Sequence, residues 1–502
     1  MKRWIAALVL VPAVASAAPR ALTLRDALAL AIAHNPTLAA ARIAVVDAEG
    51  QELHARGAYE PALELTAGAE DTRNDPRSSL FPQELHHAQV AGAAKLTWPF
   101  ADGSQLALRA AAVTARVTTR LPVADTFEDS TVASVTPTVE ATWNEPLWGG
   151  REAGAAVAAE LQARRAAAQL EELATAEQIV RAVDHAYWQL VLAQQELAIR
   201  RQGVELADGQ LRVVKAEIAR GVRPPLAAAE VEDELARRRE DQLVAQGAVA
   251  ERSIELARLV GLPIDGELAA GDAPPPEAER PEVPAPEVVR AALAHSQRLA
   301  AARRRGDGAG CALAKAEDDA RWRVDAFVHG SLSQPGDDAR AALAATAGYA
   351  GWVVEGGLTI RLPLGTAAAR GATDSARAEL VRRRIEVADL EAQIAADATG
   401  AANRLAVAAQ RRTALARSAQ LAQQNLDAEQ HRWERGDTSS FEVLRRQTAL
   451  ADARLRVERA RIDELAAATD VEALTGALLP RHRIAAGALV ASPGEPGQTR
   501  VR

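Results

Sequence analysis

Few residues of this chain are placed to do chemistry. A single cysteine, Cys311, excludes an intramolecular disulfide and any cysteine-cluster metal site. His86 and His87 are adjacent and could begin a metal site, but no third ligand is evident and a surface loop is the expected setting. Arg237-Arg238-Arg239 and Arg382-Arg383-Arg384 have the charge for an anion site, yet the surrounding glutamates favour solvated helix faces and ion pairs. There is no phosphate-binding glycine loop, no His-Glu-x-x-His pair and no nucleophile with base and orienter. The chain is therefore not expected to be an enzyme, and neither a cofactor nor a metal is expected.

The elements that carry these residues are unusual in composition. The chain has 502 residues, 48% apolar but only 3% aromatic, so alanine supplies most of the apolar count. At roughly 150 residues per domain the length allows about three domains or one elongated architecture. Close-packed helices fit the alanine content better than a bulky core. The net charge is −8, from 59 basic and 67 acidic residues interspersed along the sequence. That leaves no basic stripe for a phosphate backbone, so nucleic acid is not an expected partner.

Lys2-Arg3, an apolar run from Trp4 to Val14, and Ala15-Ser16-Ala17 have the three-part pattern of a signal peptide over 1–17. The mature protein is expected to be exported. No later stretch approaches the ~18–20 uninterrupted apolar residues of a membrane helix. After export it is soluble or crosses a membrane as β-strands.

Two copies of one plan run through the rest. Ala33-His34 with Leu38-Ala39-Ala40-Ala41-Arg42 returns as Ala294-His295 with Leu299-Ala300-Ala301-Ala302-Arg303, an offset of 261. Pro146-Leu147 is echoed by Pro363-Leu364 at 217, and Arg220-Gly221 by Arg435-Gly436 at 215. Leu259-Val260-Gly261 returns as Leu474-Thr475-Gly476, again at 215. The fall in offset from 261 to 217 places about 44 extra residues in the first copy. The expected organisation is a first repeat over 18–270, a proline-rich linker over 271–286, a second repeat over 287–476 and a tail over 477–502.

Each copy begins with a short amphipathic helix, capped in the first by Thr23 with Asp26 three residues on. Strands follow, with alternation over 59–70, 133–144, 322–328 and 352–362. Such alternation fits a sandwich or an apolar-out, polar-in transmembrane barrel. The extra residues add expected strands at 88–100 and 104–117, whose placement the pattern leaves open. After each Pro-Leu the period becomes helical. Val183, Leu190, Leu197, Val204, Leu211 and Ile218 are spaced by seven without a slip, which predicts a coiled-coil-like rod of about 100 Å over 150–220. A matching rod is expected from about 367 to 433, with alanines at several of these positions. Gly221 through Leu226 stops the first rod, and Gly436 through Ser440 the second. Each copy therefore holds a long antiparallel helical hairpin, with tips near 221 and 436. The fold class is α+β.

This order of elements resembles the TolC-like outer-membrane efflux protein family. The resemblance rests on Leu22-Thr23-Leu24 through Leu38, Tyr59-Glu60-Pro61-Ala62-Leu63, Pro146-Leu147-Trp148-Gly149-Gly150, Ala186-Tyr187-Trp188-Gln189-Leu190, and Trp433-Glu434-Arg435-Gly436 through Leu444. It implies that three protomers share one outer-membrane β-barrel and a periplasmic α-helical tunnel closed at the hairpin tips. One protomer has too few strands to close a barrel, and an open edge cannot sit in lipid. The implied function is the exit duct of a tripartite efflux or type I secretion system. Its implied partners are two further copies, a periplasmic adaptor, an inner-membrane pump and outer-membrane lipid.

Residue by residue, the family's acidic tip constriction falls on Glu442, while the next such position is Arg445, which inverts the charge; Glu230 lies near the matching place on the first hairpin. Adaptor docking is expected at Gly221, Val222, Arg223 and Leu226 and at Gly436, Asp437 and Thr438. Trp98, Trp143, Trp148 and Trp352 sit near strand ends, where membrane-interface anchoring is expected. The rival reading is a soluble periplasmic coiled-coil adaptor or scaffold.

Overall fold

The computed structural model describes residues 20–75, 81–123, 126–221, 224–264, 266–274, 283–348, 351–435, 437–438 and 440–484. The expected signal peptide lies outside these residues. The first half runs β1 (Arg20–Leu22), α1 (Leu24–His34), α2 (Pro36–Gly57), β2 (Ala62–Arg73), β3 (Gln83–Pro99), β4 (Gln105–Val123), β5 (Thr126–Trp148), α3 (Ala153–Ala219), α4 (Leu226–Val260) and β6 (Leu268–Ala270). The second runs α5 (Ala285–His295), α6 (Gln297–Asp319), β7 (Arg323–Ser333), α7 (Ala339–Ala347), β8 (Trp352–Arg361), α8 (Ala367–Glu434), α9 (Ser440–Leu474) and α10 (Leu478–Arg481). The plan repeats: two short helices, strands, then a long hairpin. The strands do not follow the opening helix directly, because α2 and α6 intervene.

Contacts divide the chain into two interleaved units. One gathers the chain up to Ala44 with Gln169–Ala300 and from Ala388 onward; the other gathers Val45–Ala168 and Ala301–Val387. The first is helical. Its core takes Val183, Tyr187, Leu190 and Leu197 from α3, Leu256 and Val260 from α4, Leu28 and Leu38 from α1 and α2, and Ile462 from α9. The seven-residue stripe of α3 is thus its buried face, with Leu211 in a second cluster that also holds Ala207, Val214, Val231 and Leu235.

Capping explains where the helices of this unit begin. Thr23 accepts the Asp26 N–H at 3.2 Å and donates to its carboxylate at 2.7 Å. Asn35 breaks α1 from α2, accepting the Thr37 and Leu38 N–H groups and donating to the Leu259 carbonyl at 2.8 Å. In the second copy Ser296 does the same for Leu299. The repeated sequence marks meet in space: Gly261 packs on His34, and Gly476 on His295.

Of the proline-rich stretch 271–286, residues 275–282 lie outside those described. Gly271 donates to the Leu22 carbonyl at 2.8 Å and Asp272 accepts the Leu24 N–H at 2.7 Å, while α5 already starts at Ala285. In the C-terminal tail, α10 buries Leu478 and Leu479 in the helical core. Among the described residues no single helix is long and apolar enough to cross a membrane.

The second unit is built on an antiparallel six-stranded sheet in the order β2-β3-β4-β5-β7-β8. The hairpin β3–β4, whose place the sequence left open, fills the second and third positions. The second repeat contributes only β7 and β8. Between them α7, capped by Asp338 through the Ala341 N–H at 2.8 Å, follows a bridge from Gly336 to Val135.

Candidate functional site

The sheet sorts its residues into two faces. Directly opposed residues of an antiparallel ladder share a face, so the register can be read as rows. One row holds Leu63, Leu96, Leu108, Ala141, Gly330 and Val354; the next holds Leu65, Ala94, Ala110, Val139, Leu332 and Trp352. These apolar side chains are largely exposed. Together they line a shallow apolar trough of about 660 Å³ that touches all six strands. Between them, on the opposite face, runs a charged row: Glu64, Lys95, Arg109 and Glu140, then Ser331. Arg109 and Glu140 pair at 3.3 Å. The neighbouring row on this face carries Thr142 hydrogen-bonded to His329 at 2.9 Å. One face suits lipid and the other suits water.

The tryptophans divide into three levels along the sheet. Trp98 and Trp143 share a row and flank Phe100, with ring centroids 5.5 and 5.6 Å from it. Trp148 lies past a register shift at the end of β5, 6.1 Å from Trp322, and Trp352 opens β8. All four are exposed. His86 and His87 stand in β3 beside a bulge rather than in a loop; they pair with Asp71 at 2.9 Å and Glu84 at 3.1 Å. No group of three potential metal ligands occurs among the described residues.

At the hairpin turns, the Gly221 N–H closes on the Ile218 carbonyl at 2.9 Å and α4 begins at Leu226, which is 73% exposed. Val222, Arg223 and Gly436 lie outside the described residues. Asp437 donates its N–H to the Arg432 carbonyl at 2.9 Å, and its carboxylate meets Arg435 at 3.3 Å; Thr438 follows. Glu442 stands in the first turn of α9, where the helix dipole favours an acid, and Arg445 lies 3.7 Å from it. Glu230 is exposed near the start of α4. The arginine triplets make ion pairs: Arg237 with Asp233 at 2.6 Å, Arg238 with Glu234 at 2.8 Å, and Arg382 and Arg383 with Glu379.

Sequence reasoning missed a buried polar cluster in the helical unit. Asp184 accepts the Thr469 hydroxyl at 2.9 Å, with His482 3.8 Å away, while Asp470 gathers Arg181 at 2.7 Å and His185 at 3.1 Å. Burial raises the Asp184 carboxyl and lowers His482. At Asp470 burial pushes upward too, but the hydrogen bonds from His185 and Arg181 outweigh it and hold the carboxyl low. Glu177, on the same helix, is pushed up to about 7 by burial. These partners are nearly 300 residues apart in sequence, so no local spacing could have signalled them.

Residues 112–262 match the family model described as outer membrane efflux protein. No curated protein sequence matches the chain. The fold resembles that of solved outer-membrane proteins. CmeC of Campylobacter jejuni shares 12% identity at a TM-score of 0.66, over 90% of this chain and 85% of its own. VceC of Vibrio cholerae shares 17% at 0.63, over 91% and 95%. The open state of MtrE from Neisseria gonorrhoeae shares 15% at 0.60, over 91% and 89%. One stretch of the chain thus matches the outer membrane efflux protein model, and the chain as a whole has the fold of these solved outer-membrane channels.

Proposed function

We propose that the chain is the exit duct of a tripartite efflux or type I secretion system. It acts as a homotrimer whose strands cross the outer membrane and whose helical hairpins form a periplasmic tunnel. Transport through it is passive, the energy coming from an inner-membrane pump coupled through a periplasmic adaptor. The observation that carries this reading is the sheet: one exposed apolar face, one charged face and two unpaired edges in a chain with an efflux-protein domain. In water such a face and such edges would drive aggregation, which weighs against a soluble adaptor. In lipid an open edge is equally unsuitable, so further copies must cover it.

The adaptor docks at the turns, around 218–232 and 433–446, where Leu226, Trp433 and Phe441 are exposed. Glu442 serves as the periplasmic gate: three copies around a threefold axis form an acidic ring that attracts cations, and Arg445 tempers its charge. Glu230 adds an acidic group on the other hairpin. Fractionation, mild SDS electrophoresis and planar-bilayer recording test the reading. A conducting trimer in the outer membrane is expected; a soluble, non-conducting monomer would end it. Glu442→Gln should weaken block by multivalent cations applied from the periplasmic side, and unchanged block would remove Glu442 from the gate.

A further inference from the structure

The six-stranded sheet has a property that neither repeat carries alone. The apolar run slides along the strands from one edge to the other. Carried across by the register, Leu63 of β2 falls in line with Val354 of β8, yet the run in β8 continues through Gly356 and Leu358 to Ile360. At the other end Ala69 of β2 falls in line with Val135 of β5, two rows beyond the row that meets Trp352. The shift is about one residue per strand. At ~3.3 Å per residue and ~4.8 Å between strands it corresponds to a tilt of about 35°, at the edge of the roughly 35–45° of closed barrels.

Both edges are open to continuation. β2 has 12 residues and β8 has 10, and neither contains the proline or lysine that usually blocks an edge. With six strands per copy, β8 of one copy and β2 of the next run antiparallel, so the alternation of directions survives closure.

We propose that β2 of each copy pairs with β8 of the next, and that three copies close an eighteen-stranded barrel in which the β3–β4 hairpin supplies a third of the wall. This rests on the trimeric-channel reading above and adds the wall's composition and its seam. Continuing the same slide by one strand, with apolar residues kept on one face, sets Leu65 opposite Leu358 of the neighbouring copy. Eighteen tilted strands give about 34 Å between opposing backbones, in the range where barrels hold an aqueous channel. The hairpin, which has no counterpart in the second repeat, is therefore a widening device, and size selection falls to other parts of the duct. A lone twisted sheet coils on itself; pairing at both edges spreads the curvature, turns the apolar rows toward lipid and turns the charged row with Glu64, Lys95, Arg109 and Glu140 toward the lumen.

The seam is tested by Leu65→Cys with Leu358→Cys in a Cys311→Ala background, oxidised in outer-membrane preparations. Covalent trimers are expected, and the pair Leu65→Cys with Val354→Cys, two rows away, should give none. A conducting trimer that cross-links neither there nor when Leu65→Cys is combined with Gly356→Cys or Ile360→Cys overturns the seam and leaves the channel reading intact. Absence of both trimer and conductance overturns the two together. Single cysteines in the hairpin test the wall. Ala111→Cys, in the row of Thr66, Ala93 and Thr138, should react with a membrane-impermeant maleimide, whereas Ala112→Cys should be protected by lipid. Equal labelling would place the hairpin outside the barrel.

Discussion

Leu190 and Leu405 occupy equivalent places, 215 residues apart, in two helices of 67 and 68 residues, and they meet different surroundings. Leu190 is fully buried, whereas Leu405 is half-buried. The difference extends along the stripe. Val183, Tyr187 and Val204 of α3 correspond to Ala398, Ala402 and Ala419 of α8, and Leu197 to Arg412. α3 organises the core of the helical unit. α8 buries Ala398, Ala401 and Ala402 beside Ile394, Leu426 and Glu429, and leaves Val407 and Leu421 exposed. A duplicated helix can keep its length and turn while changing its role, with large side chains where the chain packs on itself and alanines where a close neighbour is to be admitted. In the proposed trimer that neighbour is a second copy.

The largest expected effect breaks this comparison directly. Leu190→Ala removes a fully buried side chain and should cost about 2–5 kcal/mol. Leu405→Ala should cost less, about 1 kcal/mol in the folding of one chain, because that side chain is only partly buried. Urea unfolding of the two variants decides it, and equal losses would show that the two helices carry the core alike.

The contrast also bears on what could be read before the structure. The stripe of α3 was legible because its large residues recur every seven, and the strands were legible wherever the two faces differ in polarity. β3 and β5 extend before their expected spans into Gln83–His87 and Thr126–Val132, where polar or mixed residues occupy both faces and no alternation remains. α2 was hidden for a related reason. Ile43, Val46 and Leu53 are exposed in a single chain, so its apolar residues define no single buried stripe. The turn residues were visible through glycine and proline. Asp184, Thr469 and His482 were not, since a cluster assembled from two distant segments has no spacing to read.

A second expected effect separates the helices by charge. Glu177 of α3 corresponds to Ala392 of α8, so only the first helix holds a buried carboxyl at this level. Its value is raised from 4.5 to about 7 by burial. Raised in the folded state, the group favours folding while protonated; that contribution is fully present below about 4.5 and is lost as the pH rises through about 7. Glu177→Gln stays neutral throughout. It should match the parent at pH 4 and exceed its stability above pH 7, by up to about 3 kcal/mol at 1.36 kcal/mol per unit. A constant difference between the two proteins from pH 4 to 8 would refute the assignment.

The smallest expected effect compares the two repeats at their most similar point. Gly261 and Gly476 end α4 and α9 with φ of +72° each, a conformation that costs a side chain roughly 1–2 kcal/mol. Their neighbours differ. A Cβ on Gly261 would lie 2.6 Å from the His34 carbonyl oxygen, whereas on Gly476 it would lie 3.0 Å from the His295 Cβ, with the His295 carbonyl oxygen at 3.7 Å. Backbone held by the Asn35 junction cannot retreat as readily as a side chain can. Gly476→Ala should therefore show little beyond the conformational cost, and Gly261→Ala should exceed it by about 1 kcal/mol. If both variants unfold at the same urea concentration, the first repeat grips its opening helix no more tightly than the second, and the asymmetry of the long helices stops short of their bases.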